Sequence, residues 1–221
     1  MEYNYLPLGQ TCSPATALRN LGLRKYALPF DWIISSPDKI CQAIENNFNG
    51  FHESLKLLDD KQHVVDSYGF LFPHDYPTIQ QPNIYINDTD EIGGIQQHII
   101  ADGWESHIPV IQEKYKRRIA RFHEIMKSPQ PVIILYFGEI SAIQGFKDVF
   151  LKIYGKSNIW YVVLSEEIIH DDENARLLRE ENISLCDPEE ILVDENDNMF
   201  ICKMAQARLW MDAILKIHLK I

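Results

Sequence analysis

The sequence predicts one α/β domain over residues 1–221, built on a mostly parallel sheet with helices on both faces. Two observations support this prediction. After residue 130, continuous apolar runs alternate with amphipathic helical segments, a rhythm typical of βαβ units whose strands are covered on both faces. The 221 residues, 46% of them hydrophobic, can bury one core and contain no repeat, low-complexity tract or Gly/Ser linker.

The chain begins with a predicted strand, tight loop and helix. YNYLPLG indicates a strand that ends at Gly9, and SPATALRNLG indicates a helix with Ser13 as N-cap, Pro14 in its first turn and Gly22 after its last turn. Cys12 is therefore expected at the positive end of a helix, where nearby N–H groups favour a thiolate and can hold an oxyanion. A small buried cysteine at the strand–helix junction is the alternative interpretation.

Two further helices precede the alternating region. One is predicted from about residue 37, with Ser36 as its cap, and a long amphipathic helix is predicted over residues 106–127. The basic cluster KYKRR (114–118) is expected on a solvated face, and residues 62–90 indicate short strands and loops. The apolar stripe of the long helix comprises Ile108, Ile111, Tyr115, Ile119, Phe122 and Met126.

The alternation that predicts the parallel sheet follows the long helix. Strands are predicted at residues 131–137 and 159–165, with helices near 141–154 and 172–181. The segments ISLC, EILV and NMFICK are shorter strand candidates, and a last helix is predicted over about residues 204–218. This order favours an open sheet with its helices distributed over both sides.

Composition narrows the range of partners and compartments. With 21 basic and 32 acidic residues, the net charge of −11 disfavours sequence-independent binding to nucleic acid or to an anionic membrane surface. The sequence shows neither an apolar stretch of membrane-spanning length nor the features of a secretory signal. Its four cysteines form no CxxC pair. We therefore expect a cytoplasmic protein without nucleic-acid or membrane partners.

A cysteine nucleophile needs a histidine base and a third group that orients the base. Of the eight histidines, His74 has the most distinctive frame, because it follows an apolar segment and lies in a proline-rich loop beside Asp75. Asp31, an acid inside the apolar segment ALPFDWIISS, is a second candidate for the orienting group. The alternative interpretations are a surface histidine paired with Asp75 and a structural hydrogen-bonding role for Asp31.

The same residues carry a resemblance to a known family. The segments LGQTCSPATALRNLGLRKYALPFDWI and YGFLFPHDYP, within the first 80 residues, resemble a family described as papain-like cysteine peptidases. The resemblance implies Cys12 as nucleophile and His74 as general base, and it makes a papain-like α+β fold the alternative to the parallel sheet. The matching residues are Gly9, Cys12, Ala15, Leu18, Gly22, Leu23, Arg24, Pro29, Phe30, Asp31, Trp32, Phe72, His74 and Asp75.

The function that these observations favour is a thiol-dependent hydrolase or acyltransferase acting on an amide or ester bond. Its substrate would be an unidentified peptide, amide or acyl compound, and Gln10 and Ser13 are the candidate oxyanion donors. No cofactor is expected, and the absence of a Gly-rich phosphate loop weighs against a nucleotide ligand.

Two alternatives remain open. A non-catalytic binding module would use the crevice at the ends of the parallel strands, lined by the loop over residues 137–141. A metal site would combine His74 and Asp75 with His63 or His98, although the sequence has no HExxH or other local metal motif, so we expect none.

Overall fold

The computed structural model describes residues 2–86, 92–165, 182–186 and 210–215. In chain order its strands are β1 (Asn4–Gly9), β2 (Lys56–Leu57), β3 (Val64–Val65), β4 (Leu71–Phe72), β5 (Thr78–Ile86), β6 (Ile92–Ile100), β7 (Val132–Phe137), β8 (Ile159–Leu164) and β9 (Ile183–Cys186). The helices are α1 (Ser13–Asn20), α2 (Pro37–Glu45), α3 (Ile108–Lys127) and α4 (Ala142–Tyr154), with a 3-10 turn at Trp104–His107 and a helical segment at 210–215.

The described strands of the main sheet are all parallel and have the order β1-β7-β8-β9. Its register pairs Gly9 with Phe137 and Phe137 with Leu164, so the carboxyl ends of three strands are level with one another. The prediction of a mostly parallel sheet is confirmed, and β7, β8 and β9 coincide with three of the predicted strand segments. Ligand sites in such sheets lie beyond the carboxyl ends of the strands.

Helices cover both faces of this sheet, as the sequence predicts. Alternate side chains of β7 point in opposite directions, so Ile133 and Leu135 belong to one buried cluster while Val132 and Ile134 belong to the other. α1 and the segment 210–215 pack in the first cluster, and α2, α3 and α4 pack in the second. This double coverage explains why β7 reads as an uninterrupted apolar run.

Two small antiparallel sheets accompany the parallel one. The first has the order β2-β3-β4, and the second is a hairpin of β5 with β6. The hairpin strands have nine residues each; β5 is thus longer than the short strands expected over residues 62–90, and β6 lies beyond that region. The resulting mixture of parallel and antiparallel sheets is also compatible with the papain-like α+β alternative.

The boundaries of the long helix agree closely with the prediction, but its basic cluster does not. α3 ends at Lys127 as expected, and most of its apolar stripe is buried. Arg118, however, is buried, and Lys114 forms an ion pair with Asp75. The prediction of a wholly solvated basic face is therefore wrong for these two residues.

Several predictions fall on residues that the structure does not describe. The helix near 172–181 and the strand candidates EILV and NMFICK lie outside the described ranges, and only 210–215 of the last predicted helix lie within them. None of the helices in the described ranges has both the length and the apolar character that a membrane crossing requires. The single-domain assignment stays a prediction.

Candidate active site

The first strand ends in close contact with its neighbour. Gly9 has a φ of +143°, and a Cβ atom at this position would lie 2.5 Å from the carbonyl oxygen of Phe137. The N–H of Gln10 donates to that same oxygen at 3.2 Å. Glycine is the residue type that tolerates both this backbone angle and so close an approach. The backbone thus leaves the sheet at a fixed point, Gly9, three residues before the cysteine.

Cys12 lies at the N-terminus of α1, half exposed, and is itself the N-cap residue. The expectation that Ser13 caps the helix is therefore wrong by one residue. The carbonyl oxygen of Cys12 accepts a hydrogen bond from Thr16 N–H at 3.0 Å, and Ser13 N–H donates to Thr11 Oγ1 at 3.3 Å. The hydrogen bond from Ser13 N–H to Thr11 Oγ1 is long, so a stronger acceptor can take the place of the Thr11 hydroxyl. The position places the thiol beside the partial positive charge of the helix end.

The other end of α1 is held as the sequence predicts. Gly22 has a φ of +69° and follows the C-cap residue Leu21. Leu23 N–H donates to Leu18 O at 2.9 Å, and Gly22 N–H donates to Arg19 O at 3.1 Å. This pair of bonds is the Schellman arrangement, which satisfies carbonyl groups that the last helical turn would leave unpaired.

A ladder of backbone hydrogen bonds connects the cysteine loop to the histidine loop. Ser35 donates its N–H to Gln10 O at 3.3 Å and its Oγ–H to Gly9 O at 2.5 Å. The neighbouring residue Ile34 exchanges two backbone hydrogen bonds with Leu71, at 3.0 and 3.1 Å. Residues 34–35 therefore lie between residues 9–10 on one side and Leu71 on the other, hydrogen-bonded to both. Since adjacent extended segments lie about 5 Å apart, this ladder brings β4 and the turn after it towards the cysteine loop.

His74 lies in that turn and is exposed. Its ring meets the indole of Trp32 edge to face, with the two ring centroids 6.4 Å apart and the ring planes at 84°. No hydrogen bond joins His74 to Cys12 Sγ in the part of the chain that the structure describes. Catalytic hydrogen bonds are often long or poorly aligned in the absence of substrate, so this geometry leaves the predicted pair open.

Asp31 has no hydrogen bond to His74 among the described residues. It supports Trp32, the residue that contacts His74, through Arg24. It is 1% exposed, and its Oδ2 accepts hydrogen bonds from Arg24 Nε at 3.0 Å and Arg24 Nη2 at 2.5 Å. Burial raises the pKa of Asp31 above its ordinary value, against the opposing effect of the Arg24 guanidinium. The guanidinium carbons of Arg24 and Arg19 lie 5.4 and 5.3 Å from the centre of the Trp32 ring. Asp31 therefore orients Arg24, which packs on Trp32.

Asp75, the neighbour of His74, faces α3. Its Oδ1 is bound by Lys114 Nζ, and its Oδ2 accepts a hydrogen bond from the Tyr115 hydroxyl at 2.6 Å. The Asp75 side chain is 3% exposed, and burial together with this carboxylate raises the pKa of Tyr115 well above its ordinary value. These bonds anchor the turn that carries His74. They leave the Asp75 carboxylate occupied elsewhere, so its proposed role of orienting the imidazole directly finds no contact to support it.

Two residues near the site were not singled out from the sequence. Ser35 holds the carbonyl groups of the cysteine loop, and His52 lies fully buried behind the histidine turn. Tyr76 OH and His52 Nε2 are hydrogen-bonded at 3.0 Å, and burial lowers the pKa of His52 to about 4. In the sequence, His52 is followed by the polar residues Glu53 and Ser54, so its burial is not evident. The signal that could have revealed its burial is the pair of phenylalanines at 48 and 51, both of which are in the core.

A cavity of about 460 Å³ opens beside His74. Gln62 and His63 line it from the segment before β3, and Thr78 and His98 line it from the hairpin. The turn after β4 contributes the remaining lining residues, Pro73, His74 and Tyr76. The cavity therefore combines three separate parts of the chain, and His74 belongs both to it and to the predicted catalytic pair.

The metal alternative agrees poorly with this arrangement. His63, His74 and His98 share the cavity, but Asp75 is directed towards α3 instead. Among the described residues, no three His, Cys, Asp or Glu side chains lie close enough together to hold a metal ion.

Comparison with known proteins places these observations in a family. A family model with the description "Putative papain-like cysteine peptidase (DUF1796)" matches residues 3–144, which is more than half of the chain. The chain belongs to this family. The DUF1796 match includes Cys12, His74 and the whole of β7, and it ends within the first turn of α4. The family description supports a cysteine hydrolase as the broad class of function.

A second comparison matches one relative over a similar length of sequence. "Uncharacterized protein R408" of Acanthamoeba polyphaga mimivirus is 30% identical over 136 residues, which is 59% of this chain and 60% of that protein. The matched region thus spans about three fifths of the relative's own length. No solved structure matches the DUF1796 chain significantly.

Proposed function

We propose that this protein is a thiol-dependent hydrolase or acyltransferase with Cys12 as nucleophile and His74 as general base. The observation that carries the proposal is the position of Cys12: half exposed, at the N-terminus of α1 and at the carboxyl edge of a parallel sheet. A strand–loop–helix unit of this kind presents a nucleophile to a cleft and surrounds it with N–H donors. The backbone ladder through Ser35 and Ile34 supports the choice of His74.

The chemistry follows from these positions. His74 would accept the proton of the Cys12 thiol, and the thiolate would attack the carbonyl carbon of an amide or ester. The resulting oxyanion would accept hydrogen bonds from Ser13 N–H and from the half-exposed side chain of Gln10. The protonated imidazole would then give its proton to the leaving amine or alcohol. Water would release the acyl group in a hydrolase, and a second nucleophile would take it in an acyltransferase.

The test is the alkylation rate of each cysteine with iodoacetamide at pH 7, with the labelled positions located by peptide mass spectrometry. Cys41 is the internal reference, because burial raises its pKa to about 11 and leaves about one part in ten thousand as thiolate at pH 7. We expect Cys12 to react at least about tenfold faster than Cys41; an ordinary accessible thiol with a pKa near 8.5 would do so too, so the dependence on His74 is the deciding result. We also expect the variant His74→Gln to slow Cys12 and leave Cys41 unchanged.

The matched control is His107→Gln, an exposed histidine at the start of α3 that lies outside the site. It should leave the Cys12 rate unaltered. Activated esters and peptide thioesters then test turnover, which Cys12→Ala should abolish. A Cys12 rate that is indifferent to His74, whatever its ratio to the Cys41 rate, would contradict the proposal and favour a binding module.

A further inference from the structure

The cavity beside His74 is lined by hydrogen-bond donors. The rings of His74 and His98 have no hydrogen-bonded partner within the described ranges, and a neutral imidazole offers one N–H donor in either tautomer. The Gln62 amide and the Thr78 hydroxyl add further donors. Four side chains from three segments therefore present N–H or O–H groups to the same space.

Among the described residues, no acidic side chain lines this cavity, although the chain carries 32 acidic against 21 basic residues. Of the two nearest along the chain, Asp60 is paired with the lining residue His63, and Asp75 is directed towards α3. Asp60 Oδ2 contacts His63 Nδ1 at 3.0 Å, and the Asp75 carboxylate is bound by Lys114 and Tyr115. Asp60 also leaves His63 Nε2 as the free nitrogen of that ring, which becomes a donor when the ring is protonated.

The remaining wall of the cavity is apolar. Pro73 and the ring of Tyr76 contribute carbon surface, while the Tyr76 hydroxyl is turned into the core towards His52. The volume of about 460 Å³ falls within the range of small-molecule sites. A space with donors on one part of its surface and apolar groups on another suits an organic molecule with a negatively charged end.

We propose that this cavity binds a small organic anion, whose carboxylate or phosphate oxygens accept hydrogen bonds from His74, His98 and Thr78. Binding itself does not depend on Cys12. The further role, in which the anionic group selects substrates for attack by Cys12, rests on the proposed function. In that role the substrate would be an acyl compound whose negatively charged group occupies this cavity.

The test is a titration of the full-length protein with three probes of similar shape: benzoate, phenyl phosphate and the neutral benzamide. The observed signals are the histidine ring protons in NMR spectra. We expect benzoate or phenyl phosphate to shift the signals of His63, His74 and His98 and not that of His107. The tighter of the two probes identifies the charged group. Benzamide should bind at least about tenfold more weakly, because it lacks the charge.

Variants separate the cavity from non-specific binding. His98→Gln and Thr78→Val should each weaken binding of the anion about five- to tenfold, while His107→Gln should leave it unchanged. Both positions are exposed, so folding should persist, and a melting curve checks this. Equal binding of benzamide, shifts confined to other histidines, or no effect of either variant would overturn the inference.

A Cys12→Ala variant distinguishes this inference from the proposed function. The variant should bind the anion as the unmodified protein does, even though it cannot form an acyl-enzyme. If the alkylation experiment fails while anion binding is retained, the cavity is a binding site without the chemistry. If binding fails while Cys12 reacts in a manner that depends on His74, the proposed function stands and the anionic substrate class is wrong.

Discussion

The indole of Trp32 meets the imidazole of His74 edge to face, with ring centroids 6.4 Å apart. Trp32 is held in turn by the guanidinium groups of Arg19 and Arg24, which lie over its ring. This contact joins the histidine turn to α1, the helix that begins with Cys12. An edge-to-face pair contributes about 1 kcal/mol beyond the burial of its surface, which is enough to bias the position of an exposed ring.

Replacing Trp32 should therefore change the reactivity of the Cys12 thiol, because it removes a contact that positions the His74 ring. We expect Trp32→Ala to slow the alkylation of Cys12 by iodoacetamide in the same direction as His74→Gln. The double variant should be no slower than His74→Gln alone, because both changes remove one interaction. Tyr26→Ala is the control. Tyr26 is an exposed aromatic residue beside Arg121, and its loss should leave the rate unchanged. Additive effects of Trp32→Ala and His74→Gln would show that Trp32 acts elsewhere.

The ion pair between Lys114 and Asp75 should matter for stability. Lys114→Met leaves a carboxylate that is 3% exposed and whose remaining bonding partner, among the described residues, is the Tyr115 hydroxyl. We expect a loss of about 2 kcal/mol in the free energy of unfolding, measured by urea denaturation. Lys116→Met is the matched control on the same helix. It removes an exposed pair with Glu113 and should cost less than about 0.5 kcal/mol. Equal losses in the two variants would contradict the anchoring role of Lys114.

Stability should fall in mild acid because of His52. Its pKa in the folded protein is about 4, against an ordinary value of 6.5, so the unfolded chain binds the proton more tightly. The stability contribution is complete above about pH 6.5 and is lost as the pH falls towards 4. Between pH 7 and pH 5 this single group should lower the free energy of unfolding by about 2 kcal/mol.

The variant His52→Phe isolates that effect. It should reduce the difference between the urea midpoints at pH 7 and pH 5, because phenylalanine does not titrate. The variant also loses the hydrogen bond to Tyr76, which changes its stability at both pH values. The quantity to compare is therefore the change in urea midpoint between pH 7 and pH 5. An unchanged pH dependence in His52→Phe would show that other groups cause the acid sensitivity.

Two glycines with positive φ make a matched pair for the cysteine loop. At Gly9, an added Cβ would lie 2.5 Å from Phe137 O, whereas at Gly22 it would meet nothing within 4 Å. Gly22→Ala should therefore cost about 1 kcal/mol for the backbone angle alone. Gly9→Ala should cost clearly more, about 3 kcal/mol or above, and should alter the Cys12 alkylation rate. Similar costs at the two positions would argue against the close approach of β1 and β7.

The main sheet could be predicted from the sequence because its strands obey a simple rule. A parallel strand covered on both faces must be apolar at every position, and β7 and β8 are. Gly22 was predictable for a related reason, since the residue that ends a helix in this way needs a positive φ. These features depend on local sequence, and the structure confirms them.

The details of the site depend on distant partners, and sequence patterns do not reveal those. Nothing local to Lys114 indicates that it pairs with Asp75, 39 positions away. Arg118 lies within a basic cluster, and its burial follows from packing over Tyr115. The hairpin strands β5 and β6 carry Pro, Gln and Gly, residues that disfavour a strand prediction, and their pairing with each other overrides that preference.

The place of β1 in the sheet has a consequence for the lifetime of the site. Among the described strands, β1 lies at the edge of the main sheet and pairs with β7 alone. Edge strands fray through local openings that need much less free energy than unfolding of the whole molecule. Each such opening would carry Gly9, and with it the start of the cysteine loop, away from Phe137. Amide hydrogen exchange at Leu6 and Leu8 would therefore report how long the loop stays assembled.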